Sequence, residues 1–420
     1  MVSARPARPG FFPLDDELAL LPGRVTPRLD EELVHLATWM PFAQAAKHLA
    51  RSTRVVLSEP TVRRHTQAAG AAAVTLQTTA AAHILQQGTQ APEPPEQVVI
   101  SVDGAMVPLR HGDWAEVKTL VVGEPDLRAA AGSLHHLSYF SRLTDATTFG
   151  DEAVVETQRR GVSVASKVAA VADGAEWIQG FIDLHCPGAV RILDFPHAVE
   201  RLTHIAEAVF GAETAEAKTW LQVQCHALKH EGPTGVLTAV ADVLAEHAVA
   251  EECQEHVAYL EKRVGQMQYP AYAAAGWPLG SGVVESANNV VMETRMKGAG
   301  MRWERGNVNP MLALRTIVYS DRWDEAWGQI GSQVRAEERA RQQERREARR
   351  QAAERSAPVG GADQAAPVTL PPAVVMPAPS AAEAKQARGA WRPAADHPWK
   401  RAWSPRQQAA QIAASGNARL

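Results

Sequence analysis

The sequence predicts a mixed α/β fold with additional all-helical segments. Between residues 98 and 195, five short apolar runs rich in β-branched residues are interleaved with only two helical stretches. Outside that window apolar residues recur three and four positions apart, the spacing of one helix face. The chain has 420 residues, 45% of them hydrophobic, enough for a sizeable core and for two or three domains.

Residues 1–29 are rich in Pro, Arg and Gly and read as an arm. EELVHLATWM then sets Leu33, Leu36 and Met40 on one helical face, and PFAQAAKHLA follows with Pro41 at a first helical position. A third, short helix, SEPTVRRHTQ, is capped by Ser58 and tolerates Pro60 in its first turn. Residues 30–90 therefore read as a helix-turn-helix-like, DNA-binding region. Arg63, Arg64 and His65 would face a groove while the apolar side packs on its partner. An ordinary bundle end carries the same pattern. Residues 67–90 read as an Ala-rich helix or connector, and the Pro-rich 88–97 as a boundary.

Strands are expected at VVISVDG (98–104), EVKTLVVGE (116–124), HLSYFSRL (136–143), KVAAVADG (167–174) and GAVRILDF (188–195). A helix at about 149–160 follows the third, and another separates the last two. Three meandering strands followed by parallel ones match a ribonuclease-H-like mixed sheet, with 98–195 as its first part. Residues 196–275 are all helical in pattern. In the last part of the core, 276–330, GWPLGSG makes a tight turn and VVESANNVVMETRMKG a helix carrying Glu285, with another helix at 309–328. Residues 331–355 are Arg, Glu, Gln and Ala, an exposed charged helix. Residues 356–420 are low-complexity linker and tail, Pro- and Ala-rich to 396 and ending in HPWKRAWSPRQQ, where two Trp adjoin Lys400 and Arg401.

The formal net charge is −4, but it is unevenly spread. Residues 291–420 hold 21 Lys+Arg against 13 Asp+Glu, a surplus of +8, which leaves −12 on the rest. A basic final third on an acidic body is compatible with a polyanionic partner. Three cysteines (Cys186, Cys225, Cys253) make neither a disulfide framework nor a paired zinc motif, which fits a reduced, cytoplasmic setting. No apolar run reaches the ~18 residues of a membrane span, and the basic start lacks a signal-peptide core. The eleven Trp are dispersed, as packing anchors would be.

Asp103 and Asp173 each end an apolar strand and precede glycine; Glu285 follows the glycine turn. Acids at adjacent strand ends converge on one sheet edge, where three carboxylates repel unless cations hold them. Two hard divalent ions about 4 Å apart suit that cluster and in-line phosphoryl transfer. An Asp-Gly pair is also a common turn signal. Asp194 is a rival acid at a strand end, and Asp183 a weaker one. His197, three residues after Asp194 with Pro196 opening a helix, makes a capping or supporting pair with it; no zinc set is spaced here. His111, His135 and His136 read as surface or packing residues. Arg295, Lys297, Arg302, Arg305 and Arg315 face a single acid, Glu304, over 295–315, with Trp303 available to stack on an unpaired base. The competing reading is a solvated charged helix and a core Trp.

SVDGAMVP, GDWAEVKTLVVG, ADGAEW, RILDFPHAVERL, WPLGSGVVESANN and RMKGAGMRW together resemble bacterial insertion-sequence transposases of the ISKra type, within the DDE transposases. The likeness runs from about residue 98 to about 320. It implies a ribonuclease-H-like catalytic domain with Asp103, Asp173 and Glu285 as catalytic, metal-holding acids. Asp194 and His197 fall on the family's supporting Asp-x-x-His signature, and 196–275 on its helical insertion. The resemblance further implies two Mg²⁺ ions (Mn²⁺ as substitute), cleavage at terminal inverted repeats, strand transfer into target DNA, and a homodimer or larger synaptic assembly. It implies a nucleoid-associated cytoplasmic protein with no membrane partner. A metal-dependent nuclease or resolvase of the same fold, and an inactive domesticated DNA-binding protein, are the alternatives.

Overall fold

The computed structural model describes residues 25–355, apart from 89, 91, 127, 129–131 and 248–250. Residues 1–24 of the expected arm, and the linker and tail at 356–420, lie outside the described residues. Three helices come first: α1 (Pro27–Trp39), α2 (Phe42–Thr53) and α3 (Glu59–Gln87). Thr26 accepts the Leu29 N–H at 3.3 Å and Ser58 the Thr61 N–H at 3.3 Å, satisfying first-turn donors that have no helical partner.

α3 joins the expected short helix to the segment expected as an Ala-rich helix or connector: it is one rod of 29 residues. Its Ala-rich half is strong helix former, and Gly70 does not break it. That glycine marks a close approach to a later helix, since a Cβ there would stand 2.3 Å from the Pro310 carbonyl oxygen. His65 also departs from expectation. It is buried, with Nδ1 2.6 Å from Asp30 Oδ1, and pins α3 to α1 instead of facing outward; Arg63 and Arg64 are exposed.

The strands follow as β1 (Gln97–Pro108), β2 (Trp114–Pro125) and β3 (Leu134–Arg142), then α4 (Ala146–Arg159), β4 (Lys167–Ala172), α5 (Glu176–His185) and β5 (Val190–Leu193). The five-stranded sheet has the order β3-β2-β1-β4-β5. β1 to β3 are an antiparallel meander, whereas β4 pairs parallel with both β1 and β5, so the sheet is mixed. This is the predicted element order.

Strand alternation sorts side chains onto two faces. Val98, Ile100 and Val102 of β1 pack with Leu120, Val122 and Phe140 under α4 and α5. The opposite face is covered by two separate groups of helices. Val99, Ala169, Val171 and Ile192 lie under helices α6 (Phe195–Phe210), α7 (Ala215–His230), α8 (Pro233–Glu246), α9 (Glu251–Lys262) and α10 (Tyr269–Ala274). Val107, Val117 and Val121 lie under α11 (Gly282–Ala287), a π-helical turn (Asn288–Glu293) and α12 (Val308–Tyr319). The change from one cover to the other falls on β1, between Val99 and Val107.

The expected single helix over 309–328 is instead two, broken at residues 320–322, where Asp321 adopts φ 53°. The charged helix begins earlier than expected, as α13 (Trp323–Arg355). One face of its first turns is covered: Ile330 and Val334 are buried, and Trp323 and Trp327 partly buried, against α1 to α3. No helix among the described residues is long and apolar enough to cross a membrane.

Candidate active site

The parallel register sets the acids at one level. Ser101 pairs with Val171, so the same offset carried two residues on brings Asp103 opposite Asp173. Ala172 pairs with Leu193, which puts Asp173 beside Asp194. Asp103 is not a strand terminus, as the sequence suggested: β1 runs on to Pro108 because β2 keeps pairing with it. What ends is the β4 side. β1 and β4 stop pairing after Ser101, and the edge beyond is open at Asp103.

Asp103 is half-buried at that change of cover. Its Oδ1 accepts the Gly104 N–H at 2.7 Å and its Oδ2 accepts the Asn288 Nδ2–H at 2.9 Å. Burial is the main cause raising its carboxyl above the usual carboxylate range. The Gly104 N–H opposes this, Asp173 raises it, His197 lowers it and Glu285 raises it again. The charges of both predicted partner acids are thus felt at Asp103.

Asp173 sits in a short connection between β4 and α5, and its Oδ1 accepts the Ala175 N–H at 2.8 Å. The connection turns sharply because Gly174 has φ 82°, a left-handed conformation that side chains disfavour. The helical stretch grips this turn. The Tyr259 hydroxyl of α9 donates to the Asp173 carbonyl, and Arg263 Nη2 donates to the Gly174 carbonyl at 2.6 Å. The Arg263 guanidinium lies 3.8 Å from the centre of the Tyr259 ring, so the two act as one clamp.

Asp194 is fully buried and reaches in two directions. Its Oδ1 accepts the Ser281 N–H at 2.8 Å, holding the glycine turn that launches α11. Its Oδ2 lies 2.6 Å from His197 Nδ1. That hydrogen bond is the main cause raising the His197 imidazole above its ordinary value, against burial and with help from the charges of Asp194 and Asp173. Asp194 therefore couples β5, His197 and the turn before Glu285. Asp183 is on α5, largely exposed and paired with Arg191, away from the acids.

Glu285 is exposed on α11, and Asn288, one turn later, is buried. The π-helical turn starting at Asn288 has a cause in Arg315. This buried guanidinium donates to the carbonyls of Val290 and Val291 and, at 2.9 Å, to Thr294 Oγ1, so it occupies the widened turn.

The basic segment divides. Arg295 is buried, donates to the Ala37 carbonyl at 3.0 Å and lies between the rings of Phe42 (4.8 Å) and Trp303 (5.4 Å). Trp303 is buried and donates to the Met296 carbonyl at 3.1 Å, so it is a packing residue rather than a stacking platform. Arg315 is likewise internal. Lys297 is half-buried and paired with Glu293 at 2.6 Å. Arg302 and Arg305 remain exposed. A cleft of about 660 Å³ runs between the N-terminal helices and this segment, lined by Arg63, Arg110 and Arg302 along with Glu59 and Glu304.

Among the described residues, Glu124, His135 and His136 are the group whose ligand-type atoms all lie within 4.8 Å of one another; Asp103, Asp173 and Glu285 do not come that close together. It lies five residues beyond the β2 partner of Asp103, roughly 16 Å along the strand, and Arg160 already binds Glu124 at 2.8 Å. Asn288, Tyr259 and Arg263 were missed by the reading of the sequence, and Arg315 was read there as part of a basic surface. Only Asn288 had a signal there, its position three residues after Glu285 on a helix. No protein-family model matches the chain, and no curated protein matches it.

Proposed function

We propose that the chain is a DDE-type DNA transposase with a ribonuclease-H-like core, acting by metal-dependent phosphoryl transfer. The observation that carries this reading is the common level of Asp103, Asp173 and Asp194, on or just past the ends of pairing of three adjacent strands, with Asn288, three residues after Glu285, bonded to Asp103. A half-buried carboxyl crowded by like charges fits a cation, which would relieve both burial and repulsion. Asp103, Asp173 and Glu285 would hold two Mg²⁺ ions, or Mn²⁺. Such ions supply polarisation of phosphate oxygens and activation of water.

The chain's own residues do the rest. Asp194 orients His197 and anchors the turn before Glu285, while Tyr259 and Arg263 fix the Asp173 connection. Exposed Arg63, Arg64, Arg302 and Arg305 would neutralise phosphates of the terminal inverted repeats and the target. Water attacks phosphorus at the element end, the P–O3′ bond breaks, and the released oxygen takes a proton to become a 3′-hydroxyl. That hydroxyl attacks a target phosphodiester, forming one P–O bond as another breaks and its proton passes to the displaced oxygen. Pairing two element ends calls for a homodimer or larger assembly.

Incubation with the element's terminal DNA and Mg²⁺ tests this. Cleaved and joined products are expected from the wild type and none from Asp103→Asn. Joined product persisting in the variant would sink the assignment. Hydrolysis without any joined product would favour a nuclease or resolvase.

A further inference from the structure

Asn288 has two observations attached to it that the three-acid reading leaves unused. The residue is 4% exposed, and its Nδ2 donates to Asp103 Oδ2 at 2.9 Å. Its other polar atom, Oδ1, is buried with no hydrogen-bond partner among the described residues. A buried acceptor without a donor is uncommon in a folded protein and asks for an explanation. Here the orphan oxygen belongs to the same amide that touches Asp103, so it cannot lie far from that carboxylate.

The local fold makes this placement a built one. Asn288 stands three residues after Glu285, the spacing that puts two side chains on one helix face. It opens the π-helical turn, and Arg315 sustains that turn from inside. One face of a single helix thus presents a carboxylate and, a turn later, an amide whose nitrogen is already committed to a second carboxylate on β1.

We propose that Asn288 is a positioning residue for the cation site. Its Nδ2 fixes the Asp103 carboxylate, and its Oδ1 accepts a hydrogen bond from water bound to the cation. The proposal rests on the metal-dependent reading above and adds to it a neutral oxygen that hard, oxygen-seeking cations and their waters favour. Hydrogen-bond partners of metal ligands commonly account for about 10- to 100-fold in metal affinity.

The test is Mn²⁺ binding to the full chain without DNA, followed by electron paramagnetic resonance of free Mn²⁺, with thermal unfolding in parallel. Asp103→Asn should lose binding. Asn288→Ala should weaken it about 10-fold or more, with a melting temperature near wild type. Asn288→Leu, which keeps the volume but removes both the donor to Asp103 and the oxygen, should weaken it likewise. If Asn288→Ala does not fold, the near-isosteric Asn288→Leu is read alone, and binding like wild type there, with Asp103→Asn losing it, overturns the proposal. Asn288→Ala binding like wild type while Asp103→Asn loses binding overturns the role of Asn288 and leaves the acidic site standing. Unchanged binding in Asp103→Asn overturns both.

Discussion

Gly174→Ala is expected to be among the more damaging single-methyl additions in this protein. The residue has φ 82°, and an L-residue in the left-handed region costs roughly 1–2 kcal/mol. The added Cβ would also meet Arg263 Nε at 2.5 Å and the Tyr259 hydroxyl at 2.7 Å. Neither can swing away freely. Arg263 is 6% exposed, stacked on Tyr259 and bonded to the Gly174 carbonyl itself. Overpacking of this kind typically costs about 1–3 kcal/mol, so the sum is about 2–5 kcal/mol. Urea unfolding of the variant beside Gly180→Ala measures it, because nothing lies within 4 Å of a Cβ at Gly180. Gly180 lies inside α5, where alanine is favoured by roughly 0.5–1 kcal/mol. A Gly174→Ala midpoint equal to wild type would refute the clamp, and with it the idea that the α9 region fixes the Asp173 connection.

Other outcomes follow from the same geometry. His185 is buried, with Nε2 donating to the Gly150 carbonyl at 3.0 Å and Nδ1 accepting from Thr157 at 3.0 Å; burial pushes its imidazole down to about 4. The unfolded chain takes up this proton near pH 6.5 and the native one does not. The associated stability is full above pH 6.5 and is lost as pH falls toward 4, in total about 3 kcal/mol, which His185→Gln would remove from the pH profile of urea midpoints. Gly70→Ala should destabilise by about 1–3 kcal/mol in the same assay, since its Cβ meets backbone at Pro310 rather than a movable side chain. On the proposed DNA-binding reading, Arg302→Ala and Arg305→Ala should each lower the salt slope of DNA binding by about 1 in fluorescence anisotropy, with little loss of stability. Arg295→Ala should instead lower the melting temperature, because it removes a buried cap and stacking partner.

The alternating runs from residue 98 to 195 carried the sheet in the sequence, because a two-residue period survives in any environment where one face is buried. The acids were visible for the same reason: each stands at a fixed offset from an apolar run. Asp103 was nevertheless misread as a strand end. Its strand continues as a hairpin edge through GAMVP, and only its neighbour β4 stops. The Arg295–Arg315 group looked like a basic surface because charge alone does not reveal burial. Two of its arginines turn inward to carbonyls whose partners lie more than 250 residues away, and Trp303 fills the space beside one of them. His65 was misjudged likewise, since its partner Asp30 is on another helix. Tyr259 and Arg263 contact Asp173 and Gly174 through backbone carbonyls, which leave no trace in residue pattern.

The end of α1 has a consequence for how this chain becomes a protein. Its final carbonyls, those of Ala37 and Thr38, are closed by Arg295 and Arg315, so the first helix is finished by residues made near the end of the described chain. During synthesis at ~5–20 residues per second the N-terminal helices therefore wait for those donors, with α12 and α13 not yet there to cover their apolar faces. Those helices are consequently no detachable reading head. Expressed alone, residues 25–90 would expose the surfaces that Leu314, Ile317 and Ile330 cover, and would neither hold their packing nor stay dispersed.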